Sequence, residues 1–181
     1  MLAGVYVLTS RDGDRIGAAT VAWAMQISFK PLLFTVALGR GGNVFRCLER
    51  SRAAALHVAG HRQLELARRF ACPTEAGDGT INGEPFVSGV TSAPLLKTFP
   101  AHFECLVDEI LETSGDHVLA VLRAITAQSR ARFRPMTLAA LRKYLESAPL
   151  PARRVAASEP VPVPSRARAT APTGNRFSEA G

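Results

Sequence analysis

Residues Ile16 to Leu48 read IGAATVAWAMQISFKPLLFTVALGRGGNVFRCL. Ile16 to Ala22 alternates in the manner of a strand, and the chain turns polar at Gln26-Ile27-Ser28. Lys30-Pro31 breaks the pattern. Leu32 to Leu38 then forms a near-continuous apolar run, too short for a typical helix, which predicts a strand buried on both faces. It ends in Gly39-Arg40-Gly41-Gly42-Asn43, and a helix over Val44 to Ser51 follows, with Phe45 and Leu48 inward. Strand, small-residue turn, strand, Gly-rich loop and helix start together offer backbone N–H groups and a cationic side chain to an anion. The small side chains nearby let a flat ring lie against the backbone.

Working outward, Leu2 to Thr9 is rich in β-branched residues and predicts a strand. Arg11 to Arg15 contains Asp12-Gly13, a hairpin-turn signal. Ala53 to Ala59 predicts a strand closed by Gly60. His61 to Ala71 places Leu64, Leu66, Ala67 and Phe70 at helical spacing. Cys72 to Pro94 is rich in Gly and Pro and reads as a loop, with a short hairpin at Asn82-Gly83. Phe103 to Leu111 and His117 to Thr126 predict an antiparallel pair joined through Ser114-Gly115-Asp116. Thr137 to Glu146 predicts a closing helix, with Thr137 as cap and Leu138, Leu141 and Leu145 inward. Many short strands with tight turns and few helices argue for a mainly β barrel.

The chain has 181 residues and a net charge of +7. From Pro149 onward five arginines face two glutamates, so +3 lies in the tail and +4 in the body. That tail also holds six of the twelve prolines and a single aromatic, Phe177. It buries too little apolar surface to offset ordering entropy, so residues 149–181 are expected to be disordered and residues 1–148 to form one domain. The basic balance reads as a solvated surface; no basic-aromatic interleaving favours nucleic acid, and a tail that binds it is the weakest of three functional readings.

Cys47, Cys72 and Cys105 are odd in number and form no CxxC pair, which argues for reduced thiols rather than a disulfide or zinc framework. The apolar start lacks the features of a signal peptide, and no stretch is long enough to span a bilayer, so a cytoplasmic location is expected. His57 and His61 are four apart, but no HExxH pattern accompanies them, and no metal is expected. His102 has no evident partner, and Cys105 reads as buried and inert. No GxSxG, P-loop or post-strand GxGxxG occurs, which argues against hydrolase, NTPase and Rossmann dehydrogenase functions.

Several stretches, in order, resemble the flavin reductase-like, FMN-binding split-barrel family over roughly residues 2 to 146. Gly4-Val5-Tyr6-Val7-Leu8-Thr9-Ser10 is similar to its first strand. Thr20-Val21-Ala22-Trp23 and Gln26-Ile27-Ser28-Phe29-Lys30-Pro31 are similar to its flavin-contacting turn. Glu104-Cys105 and Gly115-Asp116-His117 are similar to two later markers, the last associated with nicotinamide binding. A leading segment usually precedes the first strand in this family, so a short N-terminus is expected here.

The resemblance implies a split β-barrel that binds FMN or FAD and uses NADH or NADPH. It implies flavin contacts at Thr20, Val21, Ala22, Trp23, Gln26 and Ser28, phosphate contacts at Arg40, Gly41, Gly42 and Asn43, and a nicotinamide contact at His117. The family often has Ser or Asn near Ala22, Ser or Thr at the positions of Gly41, Gly42 and Val44, and an acid at Lys30. Backbone amides of Gly41 and Gly42, with the side chains of Arg40 and Asn43, then stand in for the missing hydroxyls. Hydride transfer between cofactors needs no catalytic acid or base. The resemblance further implies a homodimer and a monooxygenase that receives reduced flavin. Read from the residues alone, Thr20 to Ser28 is more readily an ordinary turn with Trp23 in the core, and His117 is as readily a half-exposed strand residue bonded to nearby backbone. A non-turnover flavin module, relay or sensor, is the alternative to the reductase.

Overall fold

A computed structural model describes residues 3–130 and 132–148. The expected disorder of residues 149–181 and the contribution of Leu2 to the first strand lie outside the described residues. The chain runs β1 (Tyr6–Asp12), β2 (Arg15–Val21), β3 (Ala24–Phe29), β4 (Leu32–Gly39), α1 (Asn43–Ser51), β5 (Ala53–Val58) and α2 (Leu64–Phe70). Five two-residue strands follow: β6 (Ala76–Gly77), β7 (Thr80–Ile81), β8 (Glu84–Pro85), β9 (Val87–Ser88) and β10 (Pro94–Leu95). The long pair β11 (Ala101–Leu111) and β12 (His117–Ser129) and the helix α3 (Leu138–Ser147) complete it.

Seven strands form one sheet in the order β2-β1-β5-β11-β12-β4-β3. β2 and β3 are its two edges and do not pair, so the barrel is not closed. Ala22 and Trp23 carry the chain across this open seam from one edge to the other. The β1–β2 hairpin turns tightly because Gly13 adopts φ 58, and Asp12 pairs with Arg15. A side chain rarely tolerates that conformation, whereas glycine does so freely. The expected hairpin at Asn82-Gly83 joins β7 to β8, with both residues at positive φ.

β1 explains why the first strand reads as a continuous apolar run: both its faces are buried. Leu8 belongs to a core inside the curled sheet, with Val36, Leu38, Leu56, Val118, Ala120 and Leu122, and α1 plugs this core with Phe45 and Leu48. Val7 points the other way, into a second core with Leu66, Phe70, Phe99, Met136 and Leu141 beneath α2 and α3. Each fully buried Leu or Phe here contributes about 1.5–3 kcal/mol. Buried Thr9 and Ser10 remain satisfied, donating to Pro94 O at 2.6 Å and Ala53 O at 2.8 Å. Thr137 caps α3, its hydroxyl accepting from Ala140 N.

Three expectations are corrected. Residues 26–28 are part of an edge strand and not a turn: β3 pairs with β4 across a bulge between Gln26 and Ser28. β4 is buried on one face only, because Val36 and Leu38 enter the core while Leu33, Thr35 and Ala37 are half-buried on the other side. The helix predicted from His61 starts later, at Leu64 after Gln63. Cys47 and Cys105 are buried free thiols, and burial pushes the Cys105 thiol up to about 12, beyond reach of ordinary thiolate chemistry.

Candidate functional site

A cavity of about 300 Å³ opens on the seam. One wall comes from the end of β2 and the crossing, with Ala19, Thr20, Val21, Ala22 and Trp23. The opposite wall is the end of β4, Ala37, Leu38 and Gly39. Val44 of α1, His117 at the start of β12, and Leu138 and Arg142 of α3 close it. The two walls are tied together where Ala37 N donates to Trp23 O at 2.9 Å. Ala19, Ala22, Ala37 and Gly39 leave backbone accessible among larger apolar residues, a surface suited to a flat ring edged by a few polar groups.

Trp23 is not a core residue. It is 60% exposed and packs edge-on against the His117 ring, centroids 4.9 Å apart. His117 Nδ1 lies 2.7 Å from Asp116 Oδ1, which holds the Asp116 carboxyl below its usual range and leaves Nε2 unengaged by Asp116. The Thr20 hydroxyl donates to Ala67 O at 2.7 Å, fastening β2 to α2 beside the cavity.

Five of the residues singled out from the sequence thus meet in one place: Thr20, Val21, Ala22, Trp23 and His117. Gln26 and Ser28 lie farther along β3, and the exposed Gln26 amide donates to Ser28 O at 3.2 Å. Arg40, Gly41, Gly42 and Asn43 do not line the cavity. The Arg40 guanidinium is taken up by the β11–β12 turn, donating to Thr113 O at 2.7 Å and Gly115 O at 3.3 Å and pairing with Glu112. It therefore braces the segment that presents His117. Asn43 opens α1 on the surface, and Gly42 precedes it.

The cation that does line the cavity is Arg142, which the sequence reading did not single out. Among the described residues it pairs with no carboxylate. The available signal was its spacing: Leu138 and Arg142 are four apart on α3 and share one face. Of the three further histidines, His57 serves the fold. His57 is fully buried, its Nδ1 3.0 Å from Val7 O, while Nε2 accepts from Leu96 N at 3.0 Å. Among the described residues no group of His, Cys, Asp or Glu is placed to hold a metal ion.

Residues 1–145 match the family model of the flavin reductase like domain. The chain belongs to the flavin reductase-like family. Among its relatives is the NADH-dependent FMN reductase AsuE2 of Streptomyces nodosus subsp. asukaensis, 30% identical over 117 residues, covering 64% of this chain and 63% of that protein. The putative diflavin flavoprotein A 2 of Nostoc sp. is 27% identical over 118 residues, 64% of this chain, and this chain spans only 20% of its length. Among solved structures, the NADH:FAD oxidoreductase SgcE6 of Streptomyces globisporus superposes with a TM-score of 0.66 at 26% identity, covering 76% of this chain and 81% of that one. BorF, the flavin reductase component of a bacterial two-component tryptophan halogenase, shares the fold at a TM-score of 0.64 and 24% identity, covering 76% of this chain and 92% of that one.

Proposed function

We propose that this chain is an NAD(P)H:flavin oxidoreductase whose flavin, FMN or FAD, lies in the seam cavity. The observation that carries the reading is the cavity itself: accessible backbone at Ala19, Ala22, Ala37 and Gly39, the Trp23–His117 ring pair, and the cation Arg142, which among the described residues pairs with no carboxylate. These residues fit the group. Flavin, when bound, supplies a two-electron acceptor for hydride. The names of AsuE2 and SgcE6 support the same activity.

The chain's own residues then bind, orient and exclude water. Arg142 holds a phosphate oxygen, the role first expected of Arg40, because guanidinium matches phosphate geometry and Arg40 is already committed to the β11–β12 turn. Thr20 to Trp23 set the depth of the ring. His117, aligned by Asp116, directs Nε2 at the nicotinamide nucleotide. The test is steady-state oxidation of NADH and NADPH with and without added FMN. Saturable, flavin-dependent oxidation is expected, and His117→Ala is expected to lower kcat/KM for the nicotinamide about tenfold, the worth of one charge-assisted hydrogen bond. Flavin uptake without turnover would instead mark an electron relay, and no oxidation by either nucleotide contradicts the reductase.

We further propose that the chain acts as a homodimer. Trp23, Met25, Ile27 and Phe29 on the edge strand are 60, 61, 47 and 85% exposed, an apolar strip continuous with the cavity. Met25 pairs with Thr35 and Thr35 with Val121, so the strip extends across the outer face of β4 and β12. An unpaired apolar edge of this size calls for a cover, and a second copy supplies one beside the site. Sedimentation is expected to give twice the 19.4 kDa chain mass. Met25→Asp with Val121→Asp is expected to shift it to the monomer and to weaken flavin binding; an unchanged dimer would place the interface elsewhere. We also propose that reduced flavin passes to a partner oxygenase in a cytoplasmic setting; the name of BorF, the flavin reductase component of a two-component halogenase, supports the hand-off.

A further inference from the structure

At the far end of β12 from His117 lies a second cavity, of about 420 Å³. β12 has 13 residues, so roughly 40 Å of strand separates the two. Its polar lining holds three arginines, Arg62, Arg132 and Arg134, beside His61, and no carboxylate lines it. Among the described residues none of the three arginines forms an ion pair. The carboxylates nearest in the hydrogen-bond network are engaged elsewhere: Glu84 accepts from Thr98 at 2.8 Å and pairs with Arg69 at 2.5 Å, and Glu65 pairs with Arg68 at 2.7 Å.

The frame holding these cations is fixed by backbone bonds. His61 N donates to Arg134 O at 2.8 Å, and Gly60 pairs with Pro135 in an isolated bridge. Gln63 accepts from Gly60 N at 2.8 Å and donates to Thr98 O at 2.9 Å. Arg130, two positions before Arg132, donates to Lys97 O at 2.7 Å. Arg132 sits at φ 46, in the left-handed region that residues with a side chain rarely adopt. Strain of this kind, held by surrounding bonds, gathers at ligand clamps. Phe133 and Pro100 give the cavity an apolar wall beside the charges.

We propose that this cavity binds the oligophosphate of a nucleotide, independently of the flavin pocket. Three guanidinium forks without a competing carboxylate match the several oxygens of a diphosphate, and the volume exceeds what a single phosphate fills. Phe133 offers a face for the base.

Trp23 is the only tryptophan and lies in the seam cavity, so its emission reports that site and not this one. The experiment is calorimetric titration of the full-length chain with inorganic pyrophosphate, ADP and adenosine, with Trp23 emission followed in parallel. Saturable heat is expected from pyrophosphate and ADP, none from adenosine, with Trp23 emission unchanged. Arg62→Ala with Arg134→Ala is expected to weaken binding at least tenfold. Arg132→Asn, which keeps a left-handed backbone acceptable, is expected to weaken it as well and decides the matter if the double variant fails to fold. Absence of saturable heat, equal binding by the variants, binding of adenosine alone, or heat accompanied by a change in Trp23 emission would each overturn the proposal.

Discussion

Gly17→Ala is expected to lower stability by about 2–3 kcal/mol and to weaken flavin binding together with it. Gly17 is buried in the middle of β2. A Cβ there would lie 2.5 Å from both the N and Cα of Val44 and 2.6 Å from Asn43 O. These are backbone atoms at the start of α1, so no side-chain rotation relieves the clash, and the helix must lift off the strand. α1 supplies Phe45 and Leu48 to the inner core and Val44 to the cavity wall, so the displacement reaches both stability and site. The denaturant midpoint, with the m-value held, measures the first effect. An alanine variant as stable as the parent would mean that α1 does not rest on β2.

Acid is expected to destabilise the fold steeply between pH 6.5 and about 3. Burial lowers the His57 pKa from 6.5 to about 3, with the adjacent His102 adding to the effect and the Val7 hydrogen bond opposing it. His102 is itself lowered, chiefly by burial. The unfolded chain therefore binds a proton in this window that the folded chain refuses, so stability rises with pH across it. The contribution is complete above pH 6.5 and is lost as pH falls toward 3. For His57 it amounts to roughly 4–5 kcal/mol at its limit. The ring cannot simply turn to accept the proton, because Nε2 is the acceptor for Leu96 N, and a protonated ring would face that N–H with a donor. Unfolding free energy measured from pH 7 to pH 4 should fall accordingly, and His57→Gln should be less stable at pH 7 but flatter with pH. A parent chain whose stability is level across that range would contradict the buried neutral imidazole.

What could be read from the sequence was what is locally encoded. Gly13 marks the β1–β2 hairpin because the turn needs a positive φ that glycine adopts freely. Leu66, Ala67 and Phe70 mark α2 by period, and Thr137 caps α3 through its own hydroxyl. The juxtaposition of residues 20–23 with His117 came from a family resemblance, since no periodicity brings the end of β2 to the start of β12. β3 was missed although Met25, Ile27 and Phe29 alternate with Gln26 and Ser28: the family resemblance placed these residues in a turn, and the apolar members of the alternation point outward from a bulged edge instead of into the core. Apart from the resemblance, which made it a flavin contact, the size of Trp23 suggested burial that only the open seam denies. Arg40 looked like a phosphate ligand from its Gly-rich setting. Its actual partners, Glu112, Thr113 and Gly115, lie more than seventy positions away and are brought close only by β4 pairing with β12. Arg142 reaches the cavity by the same kind of long-range packing, α3 folding back over the seam.

The most direct measurement is titration of the purified full-length chain with FMN and with riboflavin, following quenching of Trp23 emission. Saturable quenching by both flavins is expected, with FMN bound more tightly than riboflavin, and Arg142→Ala is expected to weaken FMN about tenfold while leaving riboflavin unchanged. Trp23 emission that does not respond to either flavin, with no flavin retained by the protein, would contradict the seam cavity as the flavin site.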